Sequence, residues 1–323
     1  MVKPCKQSEI DFYESTLAHP AFLPHIPTYM GRISLGTDTK VAQAAGTLIL
    51  PSENVPDLTP AGPGIIGATL IDKAWAPSNG EKIQTELAVL LENVAAGYKK
   101  PNILDVKLGA RLWADDAPVA KRVRLDKMAE ETTSKPLGFR IAGMKTYHGP
   151  VTDTQNGVTA DGYRHYDKMY GRGFSVETVP QGFGEYFHLG KDDKPQGSVK
   201  KVIRRFVEDL EAMAQVLENE ESRMYSASLL FVYEGDQEAL QNAFTTEKDI
   251  LASLNNSIAE TEESPNGNDT VEEDDEEPVK FPSIQSLKLI DFAHAEWTPG
   301  QGPDENVLHG IRNVTKILND LIG

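Results

Sequence analysis

Cysteine is almost absent. Cys5 is the only one in 323 residues, which excludes a disulfide framework and a thiolate metal site. Long apolar runs are missing too, and none approaches the roughly 20 residues that span a bilayer. The opening MVKPCKQSEIDFYE lacks the apolar core of a signal peptide. These absences predict a protein of the nucleus and cytoplasm, with no membrane insertion. Positive charge is also short: Lys and Arg total 32 against 49 Asp and Glu, a formal net charge of −17. That balance argues against direct contact with nucleic acid or anionic membrane. Neither phosphate-loop spacing, GxGxxG or GxxxxGK[ST], occurs in the run VAQAAGTLIL at 41–50, which reads as strand or linker.

What is present is ordinary for a globular chain: 39% hydrophobic and 25% charged residues. The length suits two packed lobes, taken here as a small one over 1–100 and a larger one over 101–323. QSEIDFYEST reads as a short helix with Ile10, Tyr13 and Leu17 on one face, followed by strands in PTYMGRIS and ELAVLLENV. PSENVPDLTPAGPG, between those strands, is a Pro/Gly-rich loop. Further strands are predicted in GFRIAGMKTYH, SASLLFVYEG and SLKLIDFAHAEW. Helices are predicted within 115–135, over 200–222 with Val202, Phe206, Leu210, Met213 and Leu217 inward, and at the C-terminus with Val307, Ile311, Val314 and Leu318 inward. The stretch 259–278 carries ten acids and no base, so a disordered acidic loop is expected over about 255–280. Strands and helices mixed without a βαβ rhythm indicate an α+β fold.

One strand carries a more particular pattern. In PNILDVKLG, residues 101–109, alternation sends Leu104, Val106 and Leu108 to one face and Asp105 with Lys107 to the other. Taken alone, such a pair is a solvated ion pair worth little. Gly109 suits close backbone approach at the strand end. Lys121, Arg124 and Lys127 fall within about a 120° arc of the following helix, a solvated face or a phosphate-binding one. Asp291 closes an aliphatic strand, as a metal ligand or a cap, and His294 follows three residues later.

Three motifs occur in order: Pro-x3-Asp-x-Lys-x-Gly at 101–109, SASLL at 226–230 and LIDFAH at 289–294. Together they resemble the signatures of the inositol polyphosphate kinase family. ETTSKPLGFRIAGMK, KMYGRG and LIDFAHAEWTPGQGPDENVLHG resemble its fungal multikinase branch. The resemblance runs from about residue 3 to the end, with 33–80 unmatched. It implies a two-lobed α+β kinase fold, similar to protein kinases and ATP-grasp enzymes, with ATP held between the lobes. It implies ATP and Mg²⁺ as cofactors, and inositol 1,4,5-trisphosphate and inositol tetrakisphosphate as substrates. By the same resemblance Asp291 holds the metal, Asp105 the ribose hydroxyls, and Glu92 to Val94 the adenine through backbone groups. Lys107, Lys145 and His294, the last as an imidazolium, contact substrate phosphates, and beside these motifs the shared helical arc of Lys121, Arg124 and Lys127 is expected to supply the rest of the cationic pocket. Lys3 matches the lysine that reaches the ATP phosphates after an N-terminal hairpin. Only Met1 and Val2 precede it here, so the expectation is a frayed lysine and weak ATP binding. Two rival readings are an adaptor of low activity that engages nuclear regulatory proteins, and an inositol hexakisphosphate kinase.

Overall fold

The computed structural model describes residues 1–34, 85–150, 157–190, 193–262 and 279–323. The readings of 41–50, of the Pro/Gly-rich loop at 51–64 and of the acidic stretch from 263 to 278 lie outside these residues. The described chain is α+β. Its elements are β1 (Val2–Pro4), α1 (Gln7–Ser15), β2 (Tyr29–Ser34), β3 (Leu87–Leu91), β4 (Pro101–Leu108), α2 (Val119–Glu130), α3 (Ser134–Leu137), β5 (Phe139–Tyr147), β6 (Tyr163–Tyr166), α4 (Lys168–Arg172), α5 (Val179–Tyr186), α6 (Gly197–Asn219), β7 (Ser222–Met224), β8 (Ser228–Glu234), α7 (Gln237–Glu262), β9 (Gln285–Ile290), β10 (Ala295–Trp297) and α8 (Glu305–Ile322).

A five-stranded antiparallel sheet, ordered β6-β5-β4-β8-β9, forms the centre. Alternation along β4 fixes its two faces. Leu104, Val106 and Leu108 are fully buried in the hydrophobic core, while Asp105 and Lys107 take the opposite face. The apolar stripes of α6 and α8 fill the same core: Val202, Phe206, Leu210, Met213 and Leu217, with Val307, Ile311, Val314 and Leu318, are all inaccessible to solvent. A second sheet, ordered β1-β3-β2, carries the N-terminal strands. Residues 92–94 lie between β3 and β4 and so connect the two sheets.

Helix α1 ties the N-terminal region to the C-terminal motif. Phe12 stacks on Trp297 with centroids 5.0 Å apart and meets Phe292 at 4.8 Å. Tyr13 and Phe22 enclose the same Phe292 ring at 5.2 and 6.0 Å. Aromatic pairs of this kind add to the area they bury, so the turn holding Phe292 is fixed from three sides.

Four expectations need correction. Leu17 is exposed, because α1 ends at Ser15 and a short 3-10 turn over Thr16–Ala18 rotates it outward. The N-terminus is not frayed: Val2, Lys3 and Pro4 pair with Leu90, Val89 and Ala88, and Leu91 N donates to Met1 O at 2.9 Å. The strand expected through 286–297 breaks at Asp291, whose φ of 71° is left-handed. The acidic loop begins later than expected, since α7 runs from Gln237 to Glu262 and takes in its first residues. Asp236 caps that helix by accepting from Ala239 N at 2.9 Å. Among its described side chains Leu240 is the one fully buried, so the apolar period that normally reveals a helix is weak there.

Candidate active site

The break at Asp291 creates the site's focal point. Asp is among the few residues enriched in left-handed backbone, and the enclosed Phe292 holds that conformation in place. Asp291 Oδ1 accepts from Lys3 Nζ at 2.8 Å, and Oδ2 from Lys107 Nζ at 3.4 Å. Lys3 also donates to the buried Glu9 at 2.6 Å, and Lys107 to Ser226 O at 2.8 Å. Burial works to raise the Asp291 carboxyl, but Lys107 and Lys3 outweigh it and hold it below the usual carboxylate range. Burial opposes the charge of Lys3 too, and there Asp291 and Glu9 prevail and raise it. The cluster is therefore a charged network joining β1, β4 and the end of β9.

Asp105 shares the face of β4 with Lys107, beside a bulge in the pairing with β5. Its Oδ1 is buried without a hydrogen bond of normal geometry, the Ser228 hydroxyl being the neighbouring donor that works against burial to lower its pKa, a condition that proteins rarely leave without a function. Burial pushes its carboxyl up, and Asp291 adds to the effect against Lys107. Arg140, directly across from Lys107 on β5, was not anticipated. It is 9% exposed and donates to Ser134 Oγ at 3.0 Å. Burial, then the nearby Arg172, pushes it down to about 10. Gly109 ends the strand at a φ of +98°, where a Cβ would lie 2.7 Å from the Asn306 amide nitrogen.

A cleft of about 470 Å³ opens beside this cluster, lined by Lys6, Ser8, Asp115, Asp116, Tyr225 and His294 among others. Lys121 Nζ and His294 Nε2 stand 3.2 Å apart at its edge. Burial, then Lys121 and Lys6, lower the pKa of His294. Lys121 is lowered in turn by burial and by Lys6. Lys6 is a second basic residue missed in the sequence, where it looks like a terminal lysine. Its position at the start of α1 was the available signal.

The other candidates do not converge there. Lys127 is turned to solvent, 3.7 Å from Glu131. Arg124 is exposed on the same helix. Lys145 pairs with Ile103 in the register of β4 and β5, so it lies about 13 Å along the strand from Lys107. Its ammonium sits 3.8 Å from the Tyr163 ring centre. The Glu92 carboxylate is engaged by Thr28 N at 2.8 Å and by the Thr28 hydroxyl, leaving backbone groups near the buried Val94 for any contact there. A larger cleft of about 620 Å³ lies between α6 and α7 and holds none of these residues.

Among the described residues, no group of three or more His, Cys, Asp or Glu could enclose a metal ion. A divalent cation on Asp291 would take its remaining oxygen ligands from phosphates and water, the mode typical of magnesium. The two lysines and the exposed edge of the carboxylate, 35% accessible, fit that arrangement.

Comparisons with known proteins agree on one family. The family model for inositol polyphosphate kinase matches residues 88–319. The inositol polyphosphate multikinase of Saccharomyces cerevisiae is 32% identical, over 98% of this chain and 91% of that protein. The Schizosaccharomyces pombe multikinase is 26% identical over 97% and 87%. Human inositol hexakisphosphate kinase 1 is 30% identical over 72% of this chain, which spans 52% of that protein's length. The crystal structure of the Saccharomyces cerevisiae inositol phosphate multikinase with ADP and Mn²⁺ superposes with a TM-score of 0.65 at 28% identity. That match covers 100% of this chain and 99% of the other.

Proposed function

Because the chain belongs to the inositol polyphosphate kinase family, we propose that it is a multikinase transferring the γ-phosphate of ATP to hydroxyls of inositol trisphosphate and tetrakisphosphate. The observation that carries this reading is the Lys3–Asp291–Lys107 network, which sets two ammonium groups around one carboxylate. Both reactants are polyanions, so transfer depends on neutralising charge and aligning groups more than on covalent chemistry.

The residues divide that work. Asp291 would hold the divalent cation, which supplies charge neutralisation for the triphosphate when bound. Lys3, held by Glu9 beside Asp291, would reach the same phosphates. Lys107 would stand between phosphate donor and acceptor, fixed by Ser226 O so that its charge needs little reorganisation. The unpartnered Oδ1 of Asp105 is suited to a ribose hydroxyl, whose O–H would satisfy it. Lys6, Lys121 and His294 would receive ring phosphates in the adjoining cleft, with Arg140 on the other side of Lys107.

The multikinase relatives match nearly end to end, whereas the hexakisphosphate kinases match over part of their length; this favours the multikinase reading. Anion-exchange separation of inositol 1,4,5-trisphosphate after incubation with the protein and Mg-ATP tests it. Appearance of tetrakis- and pentakisphosphates is expected. Recovery of unchanged trisphosphate, from protein shown to be folded, would refute the assignment.

A further inference from the structure

Arg172 is a cation placed where a counter-ion is missing. It ends α4, whose Gly171 lies flush against β5: a Cβ there would come within 1.9 Å of the Ile141 carbonyl oxygen. That close approach brings Arg172 beside Arg140, the residue preceding Ile141. The Arg172 Nε is buried without a hydrogen-bond partner. Its terminal nitrogens rest on thioethers, Met169 Sδ at 3.9 Å and Met128 Sδ at 3.7 Å. Thioether sulfur is polarisable but a weak acceptor, and it neutralises no charge. Among the described residues no carboxylate pairs with Arg172. The charged neighbour it faces is Arg140, which is itself 9% exposed.

Arg140 has Asp105 as a neighbouring counter-charge, whereas the partly buried Arg172 has no carboxylate partner among the described residues, and two guanidinium groups brought this close favour an anion between them. Arg is the residue best suited to gripping phosphate with paired donors. The position is informative as well. Met128 stands seven residues beyond Lys121 on α2, about 10 Å along the helix axis, and Arg140 is the cross-strand neighbour of Lys107. Positive charge therefore flanks the Lys107 position on two sides, Lys121 on one and Arg140 with Arg172 on the other.

We propose that Arg172 is a phosphate ligand which, together with Arg140, grips a ring phosphate of the inositol polyphosphate on the side away from Lys121 and His294. The inference rests on the kinase reading given above and assigns Arg172 a part in substrate selection. Rings bearing a phosphate on that side are preferred over rings lacking it.

Arg172→Met tests this, since its neighbours already include two methionines. Thermal melting is followed with and without inositol hexakisphosphate, no nucleotide being present, alongside steady-state kinetics. The variant alone is expected to melt at or above the wild-type temperature, because an uncompensated charge has gone. It should lose most of the shift that inositol hexakisphosphate gives the wild type. The KM for inositol trisphosphate should rise about tenfold with the KM for ATP unchanged, and Arg172→Lys should recover most of the loss. A lower melting temperature with the ligand shift and both KM values intact would make Arg172 a packing residue and overturn the proposal. Failure of Arg172→Met to fold counts the same way, unless Arg172→Gln folds and reproduces the loss. Absence of turnover in the wild type would instead refute the kinase reading. The loss of the hexakisphosphate shift in Arg172→Met would then still uphold the anion subsite.

Discussion

Two neighbouring regions of the same face treat charge in opposite ways. In the Lys3–Asp291–Lys107 network each lysine has a carboxylate within 3.4 Å, and Lys3 is held more firmly charged than a free lysine. In the cleft beside it, Lys6, Lys121 and His294 crowd together; burial and then Lys6 lower the proton affinity of Lys121, and burial, Lys121 and Lys6 lower that of His294. Arg140, lowered by burial and then by the neighbouring Arg172, repeats the second pattern. The first region is complete without a ligand, as suits groups that must be aligned before phosphate is transferred. In the second, Asp116 offsets the crowded cations only in part, and under the proposed function a polyanion would complete the balance. In a protein of net charge −17, local crowding of this kind dominates because distant carboxylates are screened beyond about 8 Å at physiological salt.

The largest effect should come from breaking the paired region. Asp291→Asn keeps a residue that tolerates left-handed backbone but removes the charge shared by two lysines. Turnover should fall about a thousandfold, roughly 4 kcal/mol of transition-state stabilisation, with the melting temperature within a few degrees of wild type. Lys107→Ala should follow with a loss of about a hundredfold in kcat, again in a folded protein, as circular dichroism can verify. Activity near wild type in either variant would detach this region from the chemistry.

Perturbing the unpaired region should move binding instead. Lys121→Ala is expected to raise the KM for inositol trisphosphate about tenfold and to leave kcat within about threefold. Its affinity should also depend less steeply on salt. His294 supplies a smaller, pH-dependent signature. Its pKa is depressed in the free protein by burial, Lys121 and Lys6, and approaching phosphates reverse that field, so binding takes up a proton. Affinity should therefore gain on acidification from about pH 7.5 to about pH 6, measured relative to His294→Gln, which cancels the titration of the ligand itself. Equal pH slopes in the two proteins would remove His294 from the substrate site. The smallest effect is expected for residues 263–278, rich in acids and poor in apolar side chains. Exchange for a Gly/Ser linker should leave turnover within about threefold, a result read from the same product assay.

Periodicity made the core of this fold legible. The alternation in PNILDVKL and the stripes of α6 and α8 each reflect a local geometry that burial enforces. Helix α7 escaped because, among its described side chains, Leu240 alone is fully buried, leaving a polar sequence that resembles a loop. Residues meeting across the chain were harder to read. Lys3 and Asp291 are separated by 288 positions, and nothing local to MVKPCK announces that Met1 to Pro4 joins a sheet with β3. Motif resemblance named both residues, yet their mutual ion pair had to come from the fold. Lys6 and Arg140 carried no periodic signal, and their significance lies in which cations they face. On α2 the reverse occurred, for helical spacing grouped Lys121 with Lys127, whereas the fold turns Lys127 outward onto Glu131.

The division between an aligned catalytic network and an unfinished anion site is tested most directly by calorimetric titration of inositol trisphosphate, without nucleotide, into Asp291→Asn and Lys121→Ala. The account predicts that Asp291→Asn, though inactive, binds as tightly as wild type or more so, because Lys3 and Lys107 are released. Lys121→Ala, though capable of turnover, should bind about tenfold more weakly. Loss of binding in Asp291→Asn together with unchanged affinity in Lys121→Ala would contradict it.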